Sequence, residues 1–96
     1  MTYKLTFKVA AEKEWRKLDS SLKEYFKKKL KERLENPHVP SARLKGLENC
    51  YKIKLRRSGY RLVYQVFDER VVVTVIAVGR RERSKVYENA AKRLGQ

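Results

Sequence analysis

The sequence predicts an α+β fold of order β-α-α-β-β-β-α, with two N-terminal helices and a C-terminal helix packed on a mainly antiparallel four-stranded sheet. Three observations carry this. Apolar residues recur at helical spacing from Ala11 to Leu34. From Cys50 to Val78 alternation replaces that spacing and is broken twice by short turn signals. Helical spacing then returns after Ser84.

Each element has its own local reason. Tyr3, Leu5 and Phe7 alternate with Lys4 and Thr6, which predicts a strand over Tyr3–Phe7. From about Val9 to Leu18 the pattern is helical, with Ala11, Trp15 and Leu18 on one stripe. Ser21-Leu22-Lys23-Glu24 fits a capping box, in which the serine caps the helix and the glutamate reaches back. The helix it opens has Leu22, Tyr25, Phe26, Leu30 and Leu34 on its apolar face, and Lys23, Lys27, Lys28, Lys31 and Glu32 on its wet face. Asn36-Pro37 ends it, because the residue before a proline is pushed out of the helical region. Residues 37–49, with two prolines and Gly46, read as a loop. Cys50–Arg57 and Tyr60–Phe67 read as strands about a Ser58-Gly59 turn. After an Asp68-Glu69 turn, Val71–Val78 is apolar on both faces, as a central strand should be. Gly79 breaks it, and Ser84 to about Leu94 forms a last helix with Val86, Ala90 and Leu94 on one side.

Residues 1–96 are expected to form a single domain, a size that buries somewhat over ~60% of the unfolded surface and needs no disulfide staple. The single Cys50 cannot form an internal disulfide, which fits a reducing compartment. The opening residues lack the apolar stretch of a signal peptide, and the run Val71–Val78 is too short to cross a bilayer as a helix. A soluble cytoplasmic protein with no membrane partner is expected.

Charge points to the partner. Twenty-five Lys and Arg face eleven Asp and Glu, for a net +14. A polyanion would relieve that self-repulsion, and nucleic acid is the commonest one. Between Asn49 and Phe67 there is no acidic residue, yet Lys52, Lys54, Arg56, Arg57 and Arg61 all fall there. In the first half, Lys and Glu alternate along helical faces as an ordinary solvated surface does.

Register gathers these cations. A two-residue turn at Ser58-Gly59 pairs Arg57 with Tyr60 and sets Arg56 opposite Arg61, Lys54 opposite Val63 and Lys52 opposite Gln65. Tyr51, Ile53, Leu55, Leu62, Tyr64 and Val66 then share the other face as a core layer, and a slip of one residue would mix lysines into it. Like charges directly opposite each other cost stability, so an anion is expected to bind there. Pairing Phe67 with Arg70 sets Arg61 opposite Ile76 and brings Arg81 beside the turn. Tyr87 returns toward the same patch. Lys52, Lys54, Arg61, Arg81 and Tyr87 thus converge from separate segments. The bland alternatives are a solvated basic rim and a tyrosine packing the last helix.

The stretches Cys50-Tyr51-Lys52-Ile53-Lys54-Leu55-Arg56, Ser58-Gly59-Tyr60-Arg61-Leu62-Val63-Tyr64, Val78-Gly79-Arg80-Arg81-Glu82-Arg83-Ser84 and Val86-Tyr87 resemble the RelE toxins of bacterial toxin–antitoxin pairs. Glu14-Trp15-Arg16-Lys17-Leu18 fits as well. The resemblance runs over nearly the whole chain and implies a RelE-like microbial ribonuclease fold. It also implies an endoribonuclease that cuts messenger RNA in the ribosomal A site and is held inactive by an antitoxin wrapped around it. The implied partners are the message, the 70S ribosome with its 16S rRNA, a RelB-like antitoxin, and operator DNA only through the antitoxin complex. The family's functional positions fall on Lys52, Lys54, Arg61, Arg81 and Tyr87. Arg56, Arg57, Arg80, Arg83, Arg43 and Lys45 are expected to contact RNA. The family displaces its last helix when antitoxin binds.

The residues fit metal-independent chemistry with no cofactor. His38 sits between two prolines and reads as a surface residue, and no His/Cys/Asp/Glu group has metal-ligand spacing. Attack by the RNA 2′-hydroxyl on the adjacent phosphate would leave a 2′,3′-cyclic phosphate and a 5′-hydroxyl. Arg61 and Arg81 suit the phosphorane charge, Lys54 is the candidate general base with Lys52 assisting, and Tyr87 would stack on a base. Two rivals remain: a non-catalytic basic RNA- or DNA-binding module, and an inactive toxin-fold corepressor.

Overall fold

A computed structural model describes residues 2–80 and 85–95. In chain order the elements are β1 (Lys4–Phe7), α1 (Val9–Arg16), α2 (Ser20–Glu35), a 3-10 turn (Pro40–Ala42), β2 (Cys50–Leu55), β3 (Tyr60–Phe67), β4 (Val72–Arg80) and α3 (Lys85–Arg93). The sheet order is β1-β4-β3-β2, with β1 parallel to β4 and the other pairs antiparallel. The expected architecture is present. Lys4 N donates to Val71 O at 2.9 Å and Lys8 N to Val75 O at 3.0 Å, and these bonds seat β1 on β4.

α2 starts earlier than the capping box placed it. Asp19 is its N-cap and accepts from Leu22 N at 2.9 Å, while Ser21 Oγ donates to the same carboxylate at 2.8 Å. A carboxylate at a helix N-terminus meets the free N–H groups and the positive end of the dipole, so it displaces the serine as cap. The Leu22 N–H in turn holds the Asp19 carboxyl below its ordinary range.

The α1/α2 layer buries Ala11, Leu18, Phe26 and Leu30 against Tyr51, Ile53, Leu62, Tyr64, Val66, Val73, Val75 and Val78. On the other face, α3 packs Val86 and Ala90 on Leu47, Cys50, Val63, Ile76 and Ala77. The β3–β4 register shifts between Val63 and Tyr64, which leaves Ile76 as an extra residue on β4. That bulge lets neighbouring Ile76 and Ala77 both face α3, whereas Val75 and Val78 face α1 and α2.

Both hairpins differ from the expected register. Leu55 pairs with Tyr60, so the β2–β3 turn spans four residues, with Gly59 at φ 73° and its N–H donating to Leu55 O at 3.1 Å. Glycine adopts that left-handed conformation without a steric penalty, and this favours the longer turn over a tight pair. Lys54 therefore lies opposite Arg61, and Lys52 opposite Val63; Arg56 is in the turn and has no strand partner. The difference is two residues, an even number, so every side chain keeps its expected face. In the next hairpin Phe67 pairs with Val72 and Arg61 lies opposite Gly79, not Ile76.

His38 is more engaged than a loop residue. Its Nδ1 shares a 2.7 Å hydrogen bond with the Tyr51 hydroxyl and its Nε2 lies 2.8 Å from Asp68 Oδ1, to which Tyr3 Oη also donates at 2.7 Å. His38 first, then Tyr3, hold the Asp68 carboxyl below its ordinary range. A depressed carboxyl contributes stability above its unfolded pKa of about 3.9, and that stability is lost as pH falls through the folded value. For Asp68→Asn, denaturation midpoints are expected to fall less than the parent's as pH drops below about 4. Parallel curves would mean that this carboxylate is not part of the acid limb.

Candidate nucleic-acid interface and cleavage site

The β2–β3 pair sets Lys54 directly across from Arg61, with Lys52 two residues along on the same face. Lys54 is exposed, Lys52 half-buried and Arg61 only 7% exposed. Arg61 Nη1 donates to Tyr60 O at 3.0 Å, and its buried Nε has no partner among the described residues. Gly79, across the sheet from Arg61, carries no side chain to crowd the guanidinium. Lys52 is the largest cause that pulls the Lys54 ammonium below its ordinary range; partial desolvation, Arg61 and Arg56 add to it. Among the described residues none of Lys52, Lys54, Arg56 and Arg61 forms an ion pair. A polar group this buried is expected to be bonded, so the unpaired Nε is a polar deficit that the described residues leave unmet.

α3 covers only part of this face. Tyr87 is half-buried against the α3 core cluster, on the same side of the sheet as Lys52, Lys54 and Arg61. Arg81 and Arg83 lie outside the described residues. Arg56 and Arg57 are exposed in the β2–β3 turn. Arg80 is turned away: its guanidinium stands 5.5 Å from the Tyr60 ring, which packs against the α1/α2 core. Strand alternation gives the reason, since Arg80 pairs with Tyr60 and cross-strand partners share a face. Arg43 and Lys45 are exposed in the loop beside the start of β2, where Arg43 bridges Tyr51.

Sequence reasoning missed the support beneath the lysines. Arg33 Nη1 donates to Lys52 O at 3.2 Å and to Tyr64 Oη at 2.9 Å, and Tyr25 Oη donates to Lys54 O at 2.9 Å. The signal was present: Tyr25, Lys29 and Arg33 recur every four residues beside the apolar stripe of α2. The site offers fixed cations for phosphate oxygens and a lysine with reduced basicity. It offers no thiolate, because burial pushes the Cys50 thiol up to about 11. Among the described residues no group of three or more His, Cys, Asp or Glu could hold a metal ion.

Residues 5–85 match the family of the ParE toxin of type II toxin–antitoxin systems. The mRNA interferase toxin RelE of Escherichia coli (strain K12) is 61% identical over 94 residues, covering 98% of this chain and 99% of the relative. The chain belongs to the RelE/ParE toxin family. A putative RelE-like toxin of Escherichia coli is 55% identical over the same coverage. Among solved RelE structures, a doubly Arg-to-Ala-substituted E. coli toxin in the free state superposes with a TM-score of 0.91 at 58% identity, over 98% of this chain and 99% of that one. The toxin in the intact E. coli RelBE toxin–antitoxin complex gives 0.80 at 60% identity, over 81% of this chain and 95% of that one. The family model carries the ParE name and the full-length relatives the RelE name, so it is the full-length matches that identify this chain as RelE-type.

Proposed function

We propose that this protein is the RelE-type toxin of a type II toxin–antitoxin pair, an endoribonuclease that cuts messenger RNA in the ribosomal A site and so stops translation. The observation that carries the reading is the buried, incompletely bonded Arg61 guanidinium beside Lys52 and Lys54 on one face, in a chain 61% identical to an mRNA interferase. Its setting is the cytoplasm, its platform the 70S ribosome with its 16S rRNA, and its inhibitor a RelB-like antitoxin through which it reaches operator DNA. The RNA 2′-hydroxyl attacks the adjacent phosphorus, giving a 2′,3′-cyclic phosphate and a 5′-hydroxyl without a metal. Arg61 and Arg81 meet phosphate oxygens as rigid forks and stabilise the added negative charge. Lys54 removes the hydroxyl proton with Lys52 beside it, the P–O5′ bond breaks and the departing 5′-oxygen, its charge stabilised by Arg81, takes a proton from water. Tyr87 stacks on a base, and Arg43, Lys45, Arg56, Arg57 and Arg83 hold the strand. Arg80 enters only as a contact from the opposite face.

The test is cleavage of a ribosome-bound message with analysis of its ends. A 5′-phosphate product would overturn the mechanism. The pH–rate profile examines the base. The rate is expected to rise with pH until Lys54 has lost its proton, which is below the ordinary lysine pKa of about 10.4. Lys52→Ala removes the largest cause of that lowering, so the inflection is expected to move to higher pH. An inflection that stays put would assign the base elsewhere.

A further inference from the structure

We propose a second RNA seat: a groove along the outer edge of β2 that holds the single strand flanking the cut. It rests on the cleavage reading above and adds to it a path for the message. The groove is a cavity of about 370 Å³ between α2 and β2. Five of its lining residues are cationic, Lys29, Arg33, Lys52, Lys54 and Arg56, and none is acidic. Among the described residues none of the five forms an ion pair. The cations hold one another at high local potential, and folding gains nothing from that; a polyanionic strand neutralises it.

Two further features select RNA over a protein partner. An open strand edge ordinarily invites a peptide strand. Here the outward carbonyls of β2 are already taken: Cys50 O by Leu44 N, Lys52 O by Arg33, and Lys54 O by Tyr25. The edge thus presents charged side chains over occupied carbonyls, which suits a phosphodiester chain. The groove is also continuous with the cleavage face, because Lys52 and Lys54 line both. A strand lying along it passes onto that face without leaving the cations. Lys29, half-buried with its ammonium 6.0 Å from the Tyr25 ring, is a groove cation with no part in the proposed chemistry.

The experiment measures binding of non-cleavable 2′-O-methyl RNA by fluorescence anisotropy across a salt series. The probes are a single strand of about twelve nucleotides and a tetranucleotide, the second at the short end of the usual footprint of about 4–16 nucleotides. For Lys29→Glu the longer strand is expected to bind about tenfold more weakly, with a slope of log affinity on log salt smaller by about one. The tetranucleotide is expected to bind as before, and Lys29→Arg to restore the longer strand. Unchanged affinity for the longer strand overturns the proposal. So does an equal loss for both RNAs, which would mark a general field and not a groove. Weakened antitoxin binding with RNA binding intact would make the groove a protein seat. If the longer strand loses affinity as expected but the parent cuts no message on ribosomes, the groove stands and the cleavage reading falls.

Discussion

Arg61→Met is expected to slow message cleavage by about 10²–10³-fold, the loss typical of removing one preorganised charge-stabilising donor, and at the same time to raise the melting temperature. The two effects share a cause. Arg61 is 7% exposed, faces Lys54 across the hairpin, and leaves its Nε without a partner among the described residues. A buried cation with no carboxylate costs desolvation and repulsion in the free protein. Replacing buried charge with an apolar side chain of similar volume is commonly neutral or stabilising by about 1–4 kcal/mol. In a domain of this size each kcal/mol is worth about 4–8 °C. Single-turnover cleavage and calorimetry on the same preparation decide the matter. A less stable but fully active variant would make Arg61 a structural residue.

The second large effect is expected at Glu14, well away from the cations. Glu14 takes both Arg93 guanidinium nitrogens, at 2.7 and 3.1 Å, and accepts from Val78 N at 3.0 Å; Arg93 also donates to Ile76 O at 2.9 Å. Both side chains are about three-quarters buried, at 22% and 26% exposed. The pair closes the edge of β4 just where β1 has ended and ties the last turn of α3 to α1. Removing Glu14 strands a half-buried cation and a backbone N–H together. Breaking a buried pair costs about 3–5 kcal/mol, and partial exposure brings the expectation for Glu14→Ala to about 2–3 kcal/mol. Urea unfolding measures the total, and hydrogen exchange in α3 locates it. Arg93→Ala is expected to loosen α3 similarly but to cost less, since the Glu14 carboxylate it leaves keeps its bond from Val78 N. Equal protection of α3 amides in both variants and the parent would show that the apolar contacts of Val86 and Ala90 hold the helix unaided.

Much of this was legible in the sequence. Alternation is a face code, and it placed Lys52, Lys54 and Arg61 together although the β2–β3 register differs from the expected one, because that difference is two residues and an even shift preserves faces. It could not foresee turn length: Ser58-Gly59 looks like a two-residue turn, yet Gly59 sits at the end of a four-residue one. Nor could it foresee the bulge at Ile76, a property of how β3 and β4 twist together. The long-range polar bonds were hidden for another reason. Glu14 with Arg93, His38 with Asp68, and Arg33 with Lys52 O join residues whose pairing depends on the finished layers. Arg80 neighbours the turn in sequence, while its side chain belongs to the face of Tyr60.

The parallel seating of β1 on β4 has a consequence for the life of the chain. Thr6 and Thr74, hydrogen-bonded partners at 2.9 Å, are 68 residues apart, whereas the β2–β3 hairpin is local. Ribosomes synthesise the first strand long before the strand that must receive it, and closing such a loop is slow beside forming a hairpin. The first strand must therefore wait for Val72–Arg80 before it can take its place in the sheet.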